Sequence, residues 1–223
     1  MSRTRNAAIG DLLNGAPASL AAEALGDGAV MLRGFVAAEA PAIMAAVRAI
    51  VATAPFRHMI TPGGYRMSVA MTSCGRVGWV TDRIGYRYTP VDPDTELTWP
   101  PMPDLFRTLA GRAAAAGGFI RFVPDSCLIN RYDPGARLSL HQDKDEQDLD
   151  APVVSVALGL PATFLFGGSE RRGRPRRIRM ESGDVAVWGG ATRLAFHGID
   201  TLADGEHALT GRCRINLTFR KAL

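Results

Sequence analysis

From Ser126 to Phe219 the chain is cut into short β-prone runs: Ser126–Tyr132, Leu138–His141, Val153–Leu158, Thr163–Phe166, Arg176–Met180, Asp184–Trp188, Leu194–His197 and Arg212–Phe219. Gly or Pro punctuates nearly every gap, and those residues stop a strand or turn it back. Strands this short cannot bury a face alone, so such a chain folds into a sandwich or barrel whose sheets cover one another. The spacing predicts a mainly β, α+β fold of jelly-roll type with two helices packed outside.

The helices come from the first half. A strand is expected over Gly28–Phe35, followed by a helix with Pro41 near its start and Ile43, Val47, Ile50, Val51 and Ala54 on one apolar stripe. A second helix is expected from an Asp104 N-cap through Leu105 and Leu109 to a stop at Gly117-Gly118. Between them, residues 55–102 carry turns, isolated aromatics and scattered charge. Met67–Thr72 and Arg83–Tyr88 read as short strands of an exposed hairpin-like cover. A stretch that long without regular structure is usually functional.

A chain of 223 residues fits one domain; residues 1–18 read as a mobile arm and 19–223 as the domain. Cys74, Cys127 and Cys213 form no C-x-x-C pair, which argues against a disulfide framework and for a reducing cytoplasm. No apolar stretch approaches the ~20 residues of a membrane span. The net charge of +4 favours polyanionic partners, although all basic residues but Lys144 and Lys221 are arginine, a bias that a GC-rich genome explains as well. Arg171–Arg179 holds six arginines in nine residues; it reads either as a phosphate-gripping loop or as a solvated hairpin.

Side chains alternate along a strand, so the last run places Arg214, Asn216, Thr218 and Arg220 on one face and Ile215, Leu217 and Phe219 on the other. Two arginines on an interior face call for an anion, and a small dicarboxylate would satisfy both; on an edge strand they would be surface ion pairs instead. Asn130 and Tyr132, alternating on another strand, can add hydrogen bonds to the same anion. His141-Gln-Asp143 puts an imidazole and a carboxylate on one side of an extended segment, a weak signal alone. His197, at the end of another expected strand, supplies a third ligand. Two His and one carboxylate leave three adjacent octahedral positions open, as in non-haem Fe(II) oxygenases. Zinc could use the same ligands for hydrolysis, but would give the arginine strand no role.

Four further stretches carry a family resemblance: Thr61-Pro-Gly-Gly-Tyr-Arg-Met-Ser-Val-Ala-Met71, Asn130-Arg-Tyr-Asp-Pro-Gly-Ala136, Leu138-Ser-Leu-His-Gln-Asp-Lys-Asp145 and Gly183-Asp-Val-Ala-Val-Trp-Gly-Gly190. With Arg214–Arg220, they resemble the motifs of the AlkB family of Fe(II)- and 2-oxoglutarate-dependent nucleic-acid demethylases, in order, over roughly residues 20–221. The resemblance implies a double-stranded β-helix with Fe(II) on His141, Asp143 and His197, and with 2-oxoglutarate and O₂ as co-substrates. It implies that Arg214 holds the distal carboxylate of 2-oxoglutarate, helped by Tyr132 and Asn216, with Arg220 and Asn130 near the chelating end. Residues 55–102 become a nucleotide-recognition lid. In it Trp79 stacks on a flipped base against His141, Asp145 meets the exocyclic amine and Tyr86 a backbone phosphate, with Thr61, Met71 and Arg171 near the substrate. The implied substrate is N-alkylated DNA, single-stranded above all, with double strands and RNA as further candidates; nothing in the sequence suggests an obligate partner, so a monomer is expected.

Without the resemblance, Trp79 and Tyr86 read as loop packing and Asp145 as part of a solvated acidic turn. Two rivals follow. An oxygenase acting on a small molecule or protein side chain would keep the iron ligands and Arg214 without needing Trp79; a nucleic-acid-binding module without turnover would form no succinate.

Overall fold

The strand that carries the two arginines lies at the heart of the molecule. The computed structural model describes residues 22–223, so the expected arm over residues 1–18 falls outside the described residues. Labelled in chain order, the strands are β1 (Ala22–Gly26), β2 (Ala29–Leu32), β3 (Ala70–Gly75), β4 (Gly78–Asp82), β5 (Gly85–Thr89), β6 (Ser126–Tyr132), β7 (Leu138–His141), β8 (Val153–Gly159), β9 (Ala162–Phe166), β10 (Arg176–Met180), β11 (Val185–Trp188), β12 (His197–Ile199) and β13 (Arg214–Arg220). The helices are α1 (Ala40–Thr53) and α2 (Asp104–Ala116). A seven-stranded antiparallel sheet runs β1-β2-β11-β8-β13-β6-β3, and a four-stranded one runs β10-β9-β12-β7.

Alternation along the central strands builds two cores at once. Val154, Val156, Val185, Val187, Ile215, Leu217 and Phe219 face α1 and α2, meeting Ile43, Val47, Ile50, Phe106 and Leu109. Their in-between neighbours, Val153, Ala157, Ala186 and Trp188, face the small sheet and meet Phe164, Phe166, Ile178 and Ile199. A strand buried on both faces accounts for the near-continuous apolar runs of β8 and β11. Each large side chain so buried contributes about 1.5–3 kcal/mol. The result is two facing sheets with helices outside, the jelly-roll arrangement that strand spacing predicts.

Several boundaries differ from expectation. The strand expected over Gly28–Phe35 is the second arm of a hairpin, β1–β2, with Gly28 in its turn at φ +73° and a Cβ there only 2.5 Å from the Gly189 carbonyl oxygen. Gly28 is therefore a turn residue held against the loop after β11. Asp104 is not the N-cap: Pro103 is, and Asp104 sits in the first turn with no side-chain cap bond, where its charge suits the helix dipole. His197 begins its strand rather than ending it. Arg193 and Leu194 form a turn after a 3₁₀ segment at Gly190–Thr192, and Ala195 and Phe196 lie in irregular chain before the strand. Gly198 lets β12 approach β7 closely, since a Cβ there would lie 2.5 Å from the Leu138 carbonyl oxygen.

The cover over residues 55–102 divides differently too. The strand near Met67–Thr72 is β3, starting at Ala70, and it pairs with β6 as the edge of the large sheet. The hairpin is β4–β5, with Arg83 and Ile84 in its turn. Asp82 shapes that turn by accepting from the Ile84 amide at 2.8 Å and from Arg87. Farther along, Arg57 braces the irregular chain, reaching Asp92 at 2.5 Å and Asp94 at 3.0 Å with its guanidinium 5.4 Å from the Trp99 ring centre.

Candidate metal and dicarboxylate site

Two structural features bring the three ligands together. β12 pairs with β7 so that His197 stands opposite His141, and their rings approach to 4.3 Å between centroids. Just past β7, the chain turns Asp143 inward to 7% exposure. Its Oδ1 lies 3.8 Å from His141 Nε2 and its Oδ2 lies 3.7 Å from His197 Nε2. All three ligand atoms fall within 4.8 Å of one another.

The donor chemistry fits a divalent ion. His141 Nδ1 faces the Ser139 carbonyl at 2.9 Å and His197 Nδ1 faces the Ala195 carbonyl at 3.1 Å. A carbonyl only accepts, so both rings carry their proton on Nδ1 and turn the Nε2 lone pair inward. Burial, reinforced by His141, pulls the His197 pKa down to about 4 against the pull of Asp143; the ring is neutral and ready to ligate at pH 7. Burial pushes the Asp143 carboxyl up, but the Arg220 guanidinium and the two imidazoles outweigh it and hold it well below the usual carboxylate range.

Spacing alone treats Arg214 and Arg220 as equal grips; the structure separates them. Arg220 Nε and Nη2 both reach Asp143 Oδ2 at 2.8 Å, and only Nη1 is buried without a partner. Arg220 thus braces the metal-facing carboxylate. Arg214 is 0% exposed. Among the described residues its partners are the Leu160 carbonyl and the Met180 sulfur, both at 3.3 Å, while Nε has none. No carboxylate among the described residues pairs with it. Burial lowers its pKa to about 10, so the guanidinium remains charged at pH 7. A charged fork buried without an anion is costly, and the carboxylate of a small ligand would supply what is missing.

Around these groups lies a cleft of about 830 Å³. Tyr132, Asn130 and Asn216 line it, as do Arg220, His141, Asp143 and His197. Arg214 is not itself in the lining but is paired in register with Tyr132 on β6, which is. Asn130 Oδ1 is buried without a partner. Asn216 is already committed, donating to Ser155 Oγ and the Val156 carbonyl and accepting from Thr218, which leaves it as a brace. Trp188, its indole nitrogen also unpartnered, packs 4.7 Å from the His197 ring centre.

Thr61, Met71, Trp79, Tyr86, Asp145 and Arg171 also line the cleft. Trp79 does not lie over His141. It stacks on Tyr86 at 5.7 Å between centroids and 18° between planes, and its Nε1 donates to Asp145 Oδ2 at 2.8 Å. Tyr86 is 51% exposed and Met71 1%. Thr61 Oγ1 accepts from the Tyr65 amide at 3.2 Å, shaping its turn. Arg66, Arg137 and Lys144 join Arg171 as exposed basic side chains on the cleft wall. In the basic run, by contrast, Arg176, Arg177 and Arg179 are paired with Glu23, Asp200 and Glu181.

Sequence reasoning missed three contributors. Glu146, 7% exposed, accepts from Tyr88 Oη at 2.6 Å. Its carboxylate also meets Arg193 at 3.1 Å and Arg220 at 3.4 Å. Arg193, 4% exposed, donates to the Asp143 carbonyl at 2.7 Å. The acidic turn of residues 143–148 is therefore partly interior, a fact no local pattern reveals.

The profile of the 2OG-Fe(II) oxygenase superfamily matches residues 28–220. The chain is 56% identical over 200 residues to the alpha-ketoglutarate-dependent dioxygenase AlkB of Escherichia coli strain K12, covering 90% of this chain and 93% of that protein. It is 29% identical over 159 residues to the tRNA demethylase abh1 of Schizosaccharomyces pombe, covering 66% of this chain and 53% of that protein. A solved structure of OsALKBH1 superposes with a TM-score of 0.79 at 28% identity, covering 90% of this chain and all of that one.

Proposed function

This chain belongs to the AlkB family within the 2OG-Fe(II) oxygenase superfamily, and from that premise we propose that it oxidatively removes methyl groups from ring nitrogens of nucleic-acid bases. It is an Fe(II)- and 2-oxoglutarate-dependent dioxygenase. The proposed substrates are of the 1-methyladenine and 3-methylcytosine type, in single-stranded DNA above all and then in double strands or RNA. The observation that carries the reading is the buried Arg214, paired with no carboxylate among the described residues, on the same strand as Arg220, which grips Asp143 of a His-Asp-His cluster. Free thiols at all three cysteines agree with work in a reducing cytoplasm, and a monomer suffices because every proposed site residue comes from one chain.

Bound to His141, Asp143 and His197, Fe(II) with 2-oxoglutarate and O₂ supplies the oxidation that hydroxylates the N-methyl group, 2-oxoglutarate ending as succinate and CO₂. The hydroxymethyl base then releases formaldehyde. The protein's own work is placement and exclusion. Arg214, with Tyr132, holds the distal carboxylate; Asn130 and Arg220 Nη1 offer their unused valences toward the chelating end. Arg220 keeps Asp143 ionised and oriented. The exposed basic groups Arg66, Arg137, Lys144 and Arg171 receive phosphates, and this contribution weakens with salt.

Base entry requires Trp79 to leave Asp145 and Tyr86. The same movement frees the Asp145 carboxylate for an exocyclic amine, while the indole and the His141 ring offer two faces to the base. A ring-methylated base can carry positive charge, so an aromatic face and a carboxylate favour it over its neutral parent. A lesion that cannot pair also costs less to flip. Replacing Trp79 with alanine should raise KM for a lesion-bearing oligonucleotide about tenfold, from loss of one base–aromatic stack of about 1–3 kcal/mol. KM for 2-oxoglutarate should stay at the wild-type value, and steady-state kinetics on both substrates checks the pair.

The decisive experiment incubates the protein with Fe(II), 2-oxoglutarate, ascorbate and single-stranded oligonucleotides carrying 1-methyladenine or 3-methylcytosine. Mass spectrometry should show the methyl group lost and formaldehyde formed. Turnover of another substrate with the oligonucleotides untouched would favour the small-molecule or protein hydroxylase. An absence of succinate from the iron-loaded protein would favour a binding module.

A further inference from the structure

We propose that Glu146 is a positioning residue that ties the aromatic hairpin to the metal-facing carboxylate, an inference that rests on the nucleic-acid reading for its substrate arm. The hairpin β4–β5 projects Trp79, Tyr86 and Tyr88 from one face, since Trp79 stands opposite Tyr88 and Thr81 opposite Tyr86 in the ladder. Two side-chain hydrogen bonds connect that face to the segment after Asp143: Trp79 Nε1 to Asp145 and Tyr88 Oη to Glu146. The first must break when Trp79 turns to a base. The second then remains as the side-chain link between the hairpin and that segment.

Glu146 is suited to that task because its other contacts lead to the metal ligand. From Tyr88 Oη the links run 2.6 Å to Glu146, 3.4 Å to Arg220 Nε and 2.8 Å to Asp143 Oδ2. A second arm runs 3.1 Å to Arg193, which donates to the Asp143 carbonyl at 2.7 Å. Two carboxylates and two guanidiniums thus close a buried, charge-balanced quartet. Removing one member leaves an uncompensated charge inside, so the arrangement tolerates little displacement. Displacement of the hairpin is thereby felt at Asp143, and displacement of Asp143 at the base-binding aromatics.

Tyr88→Phe and Glu146→Gln separate the two arms. Tyr88→Phe removes one hydrogen bond to a charged group; KM for a 3-methylcytosine oligonucleotide should rise about tenfold, with Mn(II) affinity of the oligonucleotide-free protein unchanged. Glu146→Gln should raise KM at least as far and also weaken Mn(II) binding several-fold. The double variant should be no worse in KM than Glu146→Gln alone, because both changes cut one link. Amide exchange over residues 78–89 should accelerate in both variants. Wild-type KM, Mn(II) affinity and exchange in folded Glu146→Gln, or additive effects in the double variant, would overturn the linkage. Should the wild type demethylate no oligonucleotide, the substrate reading fails instead, and the Mn(II) and exchange measurements still decide the linkage.

Discussion

Arg214→Met should raise KM for 2-oxoglutarate by about 10²–10³-fold while leaving the ligand-free protein as stable as wild type or more so. The two halves of that expectation have one cause. Arg214 is 0% exposed, and among the described residues its fork meets only the Leu160 carbonyl and the Met180 sulfur at 3.3 Å. Without ligand it is a desolvated cation whose main compensation is absent, and methionine fills similar space beside Met180 without that cost. With 2-oxoglutarate bound as proposed it would form a buried charge pair, and losing one partner of such a pair costs about 3–5 kcal/mol, where each 1.4 kcal/mol is about tenfold. Thermal melts with and without 2-oxoglutarate check this directly. The ligand-induced rise in Tm expected for wild type should vanish in the variant, and a Tm of the free variant well below wild type would contradict the account of Arg214. Lysine should restore little, because a single ammonium cannot reproduce a bidentate fork.

That role was half legible beforehand. A period of two assigns Arg214 and Arg220 to the face opposite Ile215, Leu217 and Phe219, and the cores confirm the division. The same logic places His197 near a strand end and Asn130 with Tyr132 on one face. What periodicity cannot carry is the choice of ionic partner. Arg220 spends its fork on Asp143, 77 residues away, and Glu146 is drawn inward by Tyr88, Arg193 and Arg220 from three separate segments. Residues 55–102 show the same limit. β3 belongs to the large sheet because it pairs residue for residue with β6, Cys74 opposite Cys127. A pairing across some fifty residues leaves no local trace, so the exposed cover and the sheet edge looked like one irregular stretch. Trp79 is legible as an aromatic in that stretch, but its stack on Tyr86 and its bond to Asp145 are tertiary facts.

Asp143→Asn should abolish measurable divalent-metal binding and also lower Tm, and the second effect should be reversible where the first is not. The amide keeps the shape of the side chain but removes the charge that faces His141, His197 and Arg220 together. Metal loss follows from replacing an anionic ligand by a neutral one. Destabilisation follows from Arg220, which is 5% exposed and would keep only Glu146, 3.4 Å away and shared with Arg193. Stranding one member of a buried pair costs about 3–5 kcal/mol, which in a chain of this size lowers Tm by roughly 6–20 °C. Adding Arg220→Met to Asp143→Asn removes the stranded charge, so the double variant should melt several degrees above the single one while still binding no Mn(II) by calorimetry. If instead both variants melt alike, the Asp143–Arg220 pair contributes nothing to the fold and serves the metal site alone.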